Sequence, residues 1–243
     1  MNQFDNTPVT PPSSGAPGPA GWLPVWMKVI TQPNEQTFID ITGHPDALPK
    51  TAYIWIFLVG TLSVIVSGII QAILVAAGLG GQPAFEGMPA IAGGSLIGAI
   101  CVSPFAGLIS VLFFALGVAI VQWIAKLFGG TGTYDKLVYA TAAISVPITL
   151  ISMLLAPFNS VPYLNICTGV LSFGLGIYSL FLQITAVKAV NRFGWGQAAG
   201  SVLLPGLVIL VVCSCVVIGT LTLLGPVIGD VFSGINQSLQ NIP

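Results

Sequence analysis

Charged side chains are so widely spaced in this sequence that water cannot be the solvent for most of it. No Asp, Glu, Lys or Arg occurs between Lys50 and Glu86, Glu86 and Lys126, Lys136 and Lys188, or Arg192 and Asp230. Each interval is long enough for the run of about 20 apolar residues with which a helix crosses a bilayer. Helices are favoured there because backbone polar groups in lipid must be satisfied within the segment. Composition agrees: 55% of residues are hydrophobic and 5% charged, against about 25% charged in a soluble domain. A soluble globular fold is therefore excluded, and the expected class is an all-α integral membrane protein.

The intervals predict five spans, at residues 52–77, 104–124, 137–156, 163–187 and 201–224, within a membrane domain of residues 51–229. Between the third and fourth, "PFNSVP" breaks the apolar run with two prolines and an Asn-Ser pair, a helix-breaking turn signal. Residues 90–103, "AIAGGSLIGAICVS", extend the second helix, lie at the interface or re-enter the membrane; Gly93, Gly94, Gly98 and Pro104 permit a bend. Pro205 is a potential kink in the first turns of the fifth span.

Five spans put the chain ends on opposite sides, and the basic residues test that count. Lys28 and Lys50 precede the first span, Lys126 and Lys136 separate the second and third, and Lys188 and Arg192 separate the fourth and fifth. All six fall on one face, which the positive-inside rule makes cytoplasmic, with the N-terminus inside and the C-terminus outside. Trp55, Trp123 and Trp195, with Tyr53, Tyr134 and Tyr139, stand near the cationic span ends and are expected to form an aromatic belt at headgroup level.

The loop "AKLFGGTGTYDKLVYA" has a structural reading at every position. Lys126 complements the negative C-terminal end of a helix, and Gly129-Gly130 adopts the left-handed conformation that stops it. Thr131 or Thr133 caps the next helix, with Asp135 in its first turn. A phosphate-binding loop would need Gly-x-x-x-x-Gly-Lys-Ser/Thr after a strand; here Lys136 stands four residues beyond Gly132 and no strand is expected before it.

"LFGGTGTYDKLVYATAAISVP" resembles the signature of the Yip (Ypt/Rab-interacting protein) membrane-domain family. The matching positions are Gly129, Gly130, Gly132, Thr133, Tyr134, Leu137, Tyr139 and Pro147. Upstream, "VITQPNEQTFIDITGHP" is similar to the Pro-x-x-x-x-Phe segment with which such domains begin, and the likeness covers most of residues 28–225. The resemblance implies a five-span protein with a cytosolic N-terminus. Eukaryotic members associate with prenylated Rab-type GTPases and with one another in membrane traffic. The short tails make this chain look more like the prokaryotic members, in a cell membrane.

Residues 1–20, rich in Pro, Ser and Gly, read as a disordered tail, and residues 230–243 as a short polar C-terminal tail. No cleaved signal is expected, since no basic stretch precedes an apolar one. Residues 21–50 place Trp22, Trp26, Ile30, Phe38 and Ile41 amid polar residues, the pattern of one or two interfacial helices, the second opened by Pro33.

Catalytic chemistry finds little material. His44 is the lone histidine, in a Gly-His-Pro-Asp turn read as solvated. Cys101, Cys167, Cys213 and Cys215 lack Cys-x-x-Cys spacing and are expected to be free buried thiols. No cofactor, metal site or catalytic residue is expected, and no nucleic-acid partner. The spans carry no ionisable group of the kind that relays charge in coupled carriers. Milder polar residues do occur: Ser63, Ser67 and Gln71 repeat every four residues on the first span, with Thr141, Ser145, Thr149 and Ser152 on the third. Such faces pack against other helices; a polar permeation path is the alternative.

The expected function is a non-catalytic membrane scaffold or adaptor. Its cytoplasmic surface, residues 21–50, 125–136 and 188–198, would meet protein partners, a second copy of the chain, or lipid headgroups. The alternative is a small oligomeric channel or uncoupled permease.

Overall fold

The computed structural model describes residues 19–77, 96–160 and 163–240; most of the expected N-terminal tail, residues 90–95 and residues 241–243 lie outside them. Among the described residues the regular structure is helical: α1 (Pro19–Thr31), α2 (Glu35–Gly43), α3 (Pro49–Ala76), α4 (Leu96–Leu127), α5 (Tyr134–Leu155), a 3-10 turn at Ala156–Ser160, α6 (Leu164–Asn191) and α7 (Trp195–Gln240). Among the described residues five helices, α3 to α7, are long and apolar enough to cross a membrane.

The helices overrun the predicted spans because the hydrophobic intervals are flanked by residues that tolerate helix. Residues 96–103 form one continuous helix with the predicted second span, so this part of the ambiguous segment extends α4. Pro104, inside α4, removes an N–H that would bond the carbonyl of Ile100. The Ser103 hydroxyl donates to that carbonyl at 2.9 Å, so the lost backbone partner is replaced locally, as lipid requires. Likewise α7 continues through Pro205 and beyond Asp230 as far as Gln240.

α5 is the central helix. Half of its most apolar window is buried inside the protein, against 11% for α3 and α4, 22% for α6 and none for α7. Its buried residues include Leu137, Val138, Tyr139, Ile144 and Val146. α3 and α4 lie close together, and small residues permit this: a Cβ on Gly107 would stand 2.3 Å from Thr61 Oγ1. Such contacts supply the van der Waals packing that lipid, itself apolar, leaves as the drive for helix association.

The N-terminal pair folds back onto the bundle. α1 packs on α5, and α2 on α5 and α6. Pro33 does not open α2; Asn34 is the N-cap, its Oδ1 accepting from Thr37 N at 2.7 Å, and Pro33 lies just outside. Val29 and Phe38 are wholly buried, so α1 and α2 belong to the core as much as to the interface. Tyr178 on α6 donates from its hydroxyl to Ile30 O at 2.5 Å, fixing the end of α1.

This folding back corrects the reading of Trp55 as a headgroup anchor. It is 1% exposed and sits in an aromatic cluster, its ring centroid 5.9 Å from Trp22, 5.5 Å from Trp26 and 5.2 Å from Tyr139. Near-perpendicular contacts such as that with Trp26 set a ring edge against a ring face, a favourable aromatic geometry. Trp123 and Trp195 do stay exposed. The cysteines are also corrected: all four are free but exposed at the protein surface, because they fall on helix faces that no other helix covers.

Candidate functional site

The cation-bearing ends of the helices meet in one cluster of loops. α4 ends at Leu127 and α5 starts at Tyr134, while α6 ends at Asn191 and α7 starts at Trp195. Antiparallel succession therefore brings residues 128–133 beside residues 192–194. Gly129 stops α4 with φ +89°, the left-handed conformation expected of it. Gly130 N then donates to Ala125 O at 2.9 Å.

The loop is pinned to the end of α6 by a buried polar pair absent from the sequence reading. Gln122 on α4 and Asn191 on α6 are 3% and 1% exposed. Gln122 Nε2 donates to Gly132 O at 2.7 Å and to Asn191 Oδ1 at 3.0 Å. Asn191 Nδ2 donates in return to Gln122 Oε1 at 3.3 Å and to Val187 O at 3.1 Å. Thr131 N donates to Asn191 O at 3.2 Å. Satisfied in this way, two buried amides fix a loop conformation that either alone would oppose.

Close approach to α6 accounts for the remaining motif glycines. A Cβ on Gly132 would lie 2.6 Å from Val190 O, and one on Gly130 2.7 Å from Asn191 Oδ1. Thr133 is the N-cap of α5 by backbone conformation, without a side-chain cap bond, and Asp135 lies in the first turn. Tyr134 turns inward: its hydroxyl reaches Ala115 O at 3.0 Å and the Tyr53 hydroxyl at 3.1 Å. Leu137, Tyr139 and Pro147 are buried in α5. The motif thus forms the joint between α3, α4, α5 and α6.

A second joint involves the adjacent loop. Arg192 caps α6 in the left-handed conformation with φ 56°. Gln197 Nε2 donates to Phe128 O at 3.1 Å, and Gly194 N donates to Gln197 Oε1 at 3.0 Å. Lys188 Nζ lies 2.6 Å from Glu35 Oε2 and 4.8 Å from the centre of the Trp195 ring, linking α2, α6 and α7. Lys28 Nζ meets Asp40 Oδ2 at 3.1 Å. Hydrogen bonds from Gln36 and Lys28 hold the exposed Asp40 carboxyl below the ordinary carboxylate range.

Of the six expected face cations, two are thereby committed to ion pairs. Lys50, Lys126, Lys136 and Arg192 are exposed and form no ion pair among the described residues. His44 caps α2 and stands 3.2 Å from Asp46 Oδ2. Among the described residues, no three His, Cys, Asp or Glu gather in a way that would hold a metal ion.

The expected intramembrane polar face divides. Ser63 is half-buried beside Ser110 and Thr149 in a crevice of 240 Å³ between α3, α4 and α5. Ser145 is half-buried too, and its carbonyl accepts from Thr149 Oγ1 at 2.7 Å. Ser67 and Gln71, one and two turns along α3, are exposed, so the four-residue repeat does not remain in one packed seam.

No curated protein and no solved structure matches this chain. The Yip1 domain family model does, over residues 27–216. That match covers the last five residues of α1, all of α2 to α6, and α7 as far as Val216. This multi-pass membrane protein therefore belongs to the Yip1 domain family.

Proposed function

We propose that this protein is a non-catalytic membrane adaptor, whose loop cluster and N-terminal helices present a preformed docking face to a protein partner or a second copy of the chain. The observation that carries the reading is the joining of α1, α2 and both loops into one interlocked end, with Lys126, Lys136 and Arg192 left exposed upon it. A face built in this way is preorganised, so a partner does not have to order it on binding. Its unpaired cations suit an acidic surface. We place that face in the cytoplasm, following the distribution of the six cations.

Affinity capture from membranes with the full chain, comparing wild type with Lys136→Glu and Arg192→Glu, tests the proposal. Both exchanges fall on exposed residues. Loss of a specific, identified partner or of self-association in either variant supports a docking face. Unchanged capture in both refutes it.

A second reading, a small oligomeric channel or uncoupled permease, draws on the crevice at Ser63, Ser110 and Thr149. Reconstituted vesicles that pass solute, with flux changed by Ser63→Ala, would favour it over the adaptor.

A further inference from the structure

We propose that the groove between α3 and α4 at the cation-bearing end binds an anionic phospholipid, with the phosphate at Lys50 and an acyl chain along Ile54, Phe57, Leu108 and Val111. The groove has a volume of 510 Å³ and these residues form its walls together with Tyr53. Lys50, Ile54 and Phe57 follow one another at helical spacing and so share a face of α3. At about 1.5 Å per residue, Phe57 lies about 10 Å along the helix from Lys50. That is the passage from headgroup level into the hydrocarbon.

The chemistry of the lining changes in the same direction. Lys50 is exposed at the mouth and has no carboxylate partner among the described residues, whereas Lys28 and Lys188 are held by Asp40 and Glu35. Below it, the Tyr53 hydroxyl is already engaged by Tyr134 at 3.1 Å, which leaves no other free polar group of the walls to hold a polar ligand. Ile54 and Leu108 then present 41% and 60% of their surface outward. A free cation followed by apolar wall is complementary to an anionic headgroup followed by a chain. A small free anion would leave the wall unused, and a zwitterionic lipid would gain less from the lysine.

The inference rests on α3 crossing the membrane and is independent of any protein partner, so partner capture and lipid binding fail separately. The test uses the full chain purified in detergent and stripped of lipid. It is then titrated with phosphatidylglycerol or phosphatidylcholine carrying the same acyl chains, and bound lipid is counted by native mass spectrometry. Phosphatidylglycerol is expected to bind in preference. Lys50→Gln is expected to weaken it about fivefold, the factor for one lysine near an anionic headgroup, and to leave phosphatidylcholine unchanged. Lys126→Gln, which removes an exposed lysine at the same end but outside the groove, is expected to weaken phosphatidylglycerol by clearly less than Lys50→Gln does. Leu108→Trp, which narrows the groove from an exposed position, is expected to weaken both lipids. Equal retention of the two lipids, equal losses from Lys50→Gln and Lys126→Gln, or full binding by Leu108→Trp would each overturn the proposal.

Discussion

Replacing Asn191 by Ala should loosen the loop cluster more than any surface change at the same end of the bundle. The side chain is 1% exposed, accepts one hydrogen bond from Gln122 and donates one back. Its removal leaves Gln122 Oε1 without that donor in a buried site, at a cost of about 1–3 kcal/mol, and removes a net contribution of about 1 kcal/mol from the second bond. Gln122 Nε2 keeps Gly132 O, so the loss stops short of orphaning the whole amide. The expected destabilisation is about 2–4 kcal/mol. The assay is reversible denaturant unfolding in mild detergent micelles, repeated for Gln122→Ala and the double variant. A double-mutant cycle should give a coupling of at least about 1 kcal/mol between the two positions. A single-variant loss below about 0.5 kcal/mol, with no coupling, would refute the claim that this amide pair holds the joint.

Two further predictions concern the same end of the protein. Gly132→Ala should cost about 1–3 kcal/mol by overpacking, because its Cβ meets the backbone of Val190; Gly129→Ala, which has open space but φ +89°, should cost about 1–2 kcal/mol. Gly129→Asn should recover part of that loss while Gly132→Asn should recover none, as read by the unfolding midpoints. The depressed pKa of Asp40 means that its contribution is present above about pH 4, the ordinary carboxylate value, and is lost as pH falls through the lower folded value. Amide exchange in α1 and α2 should therefore rise between pH 5 and pH 3 relative to α5, and Asp40→Asn should diminish that pH dependence.

The membrane helices were legible because lipid imposes a crude rule, a long stretch without charge, and the sequence obeys it between Lys50 and Arg192 with few exceptions. The glycine loop was legible for a similar reason: Gly129 performs the helix stop that its position suggested. Less could be foreseen where a side chain's role depends on what folds over it. Trp55 has the placement of a belt residue, and only the return of α1 across α3 and α5 buries it. Gln122 and Asn191 are 69 residues apart, and neither carries a local pattern that announces a partner. A signal was present nonetheless: a lone Gln among apolar residues near a span end needs its amide satisfied. The face cations carried position but not pairing, since Lys188 and Glu35 are joined only by the tertiary docking of α2 on α6.

α7 is attached unlike its neighbours. Among its described side chains the buried ones, Ala198 and Ser201, fall within the first two turns, and from Val202 to Thr222 none is buried. Hydrocarbon, and not protein, is the chief neighbour of that stretch, so its sequence answers to oil solubility where α5 answers to shape. Swaps among Val, Leu and Ile beyond Ser201 should pass almost unnoticed, whereas one enlarged side chain at Ala198 would prise the helix from its hinge. The last span is moored at its base like a mast, and from Val202 to Thr222 its surface is left to the bilayer.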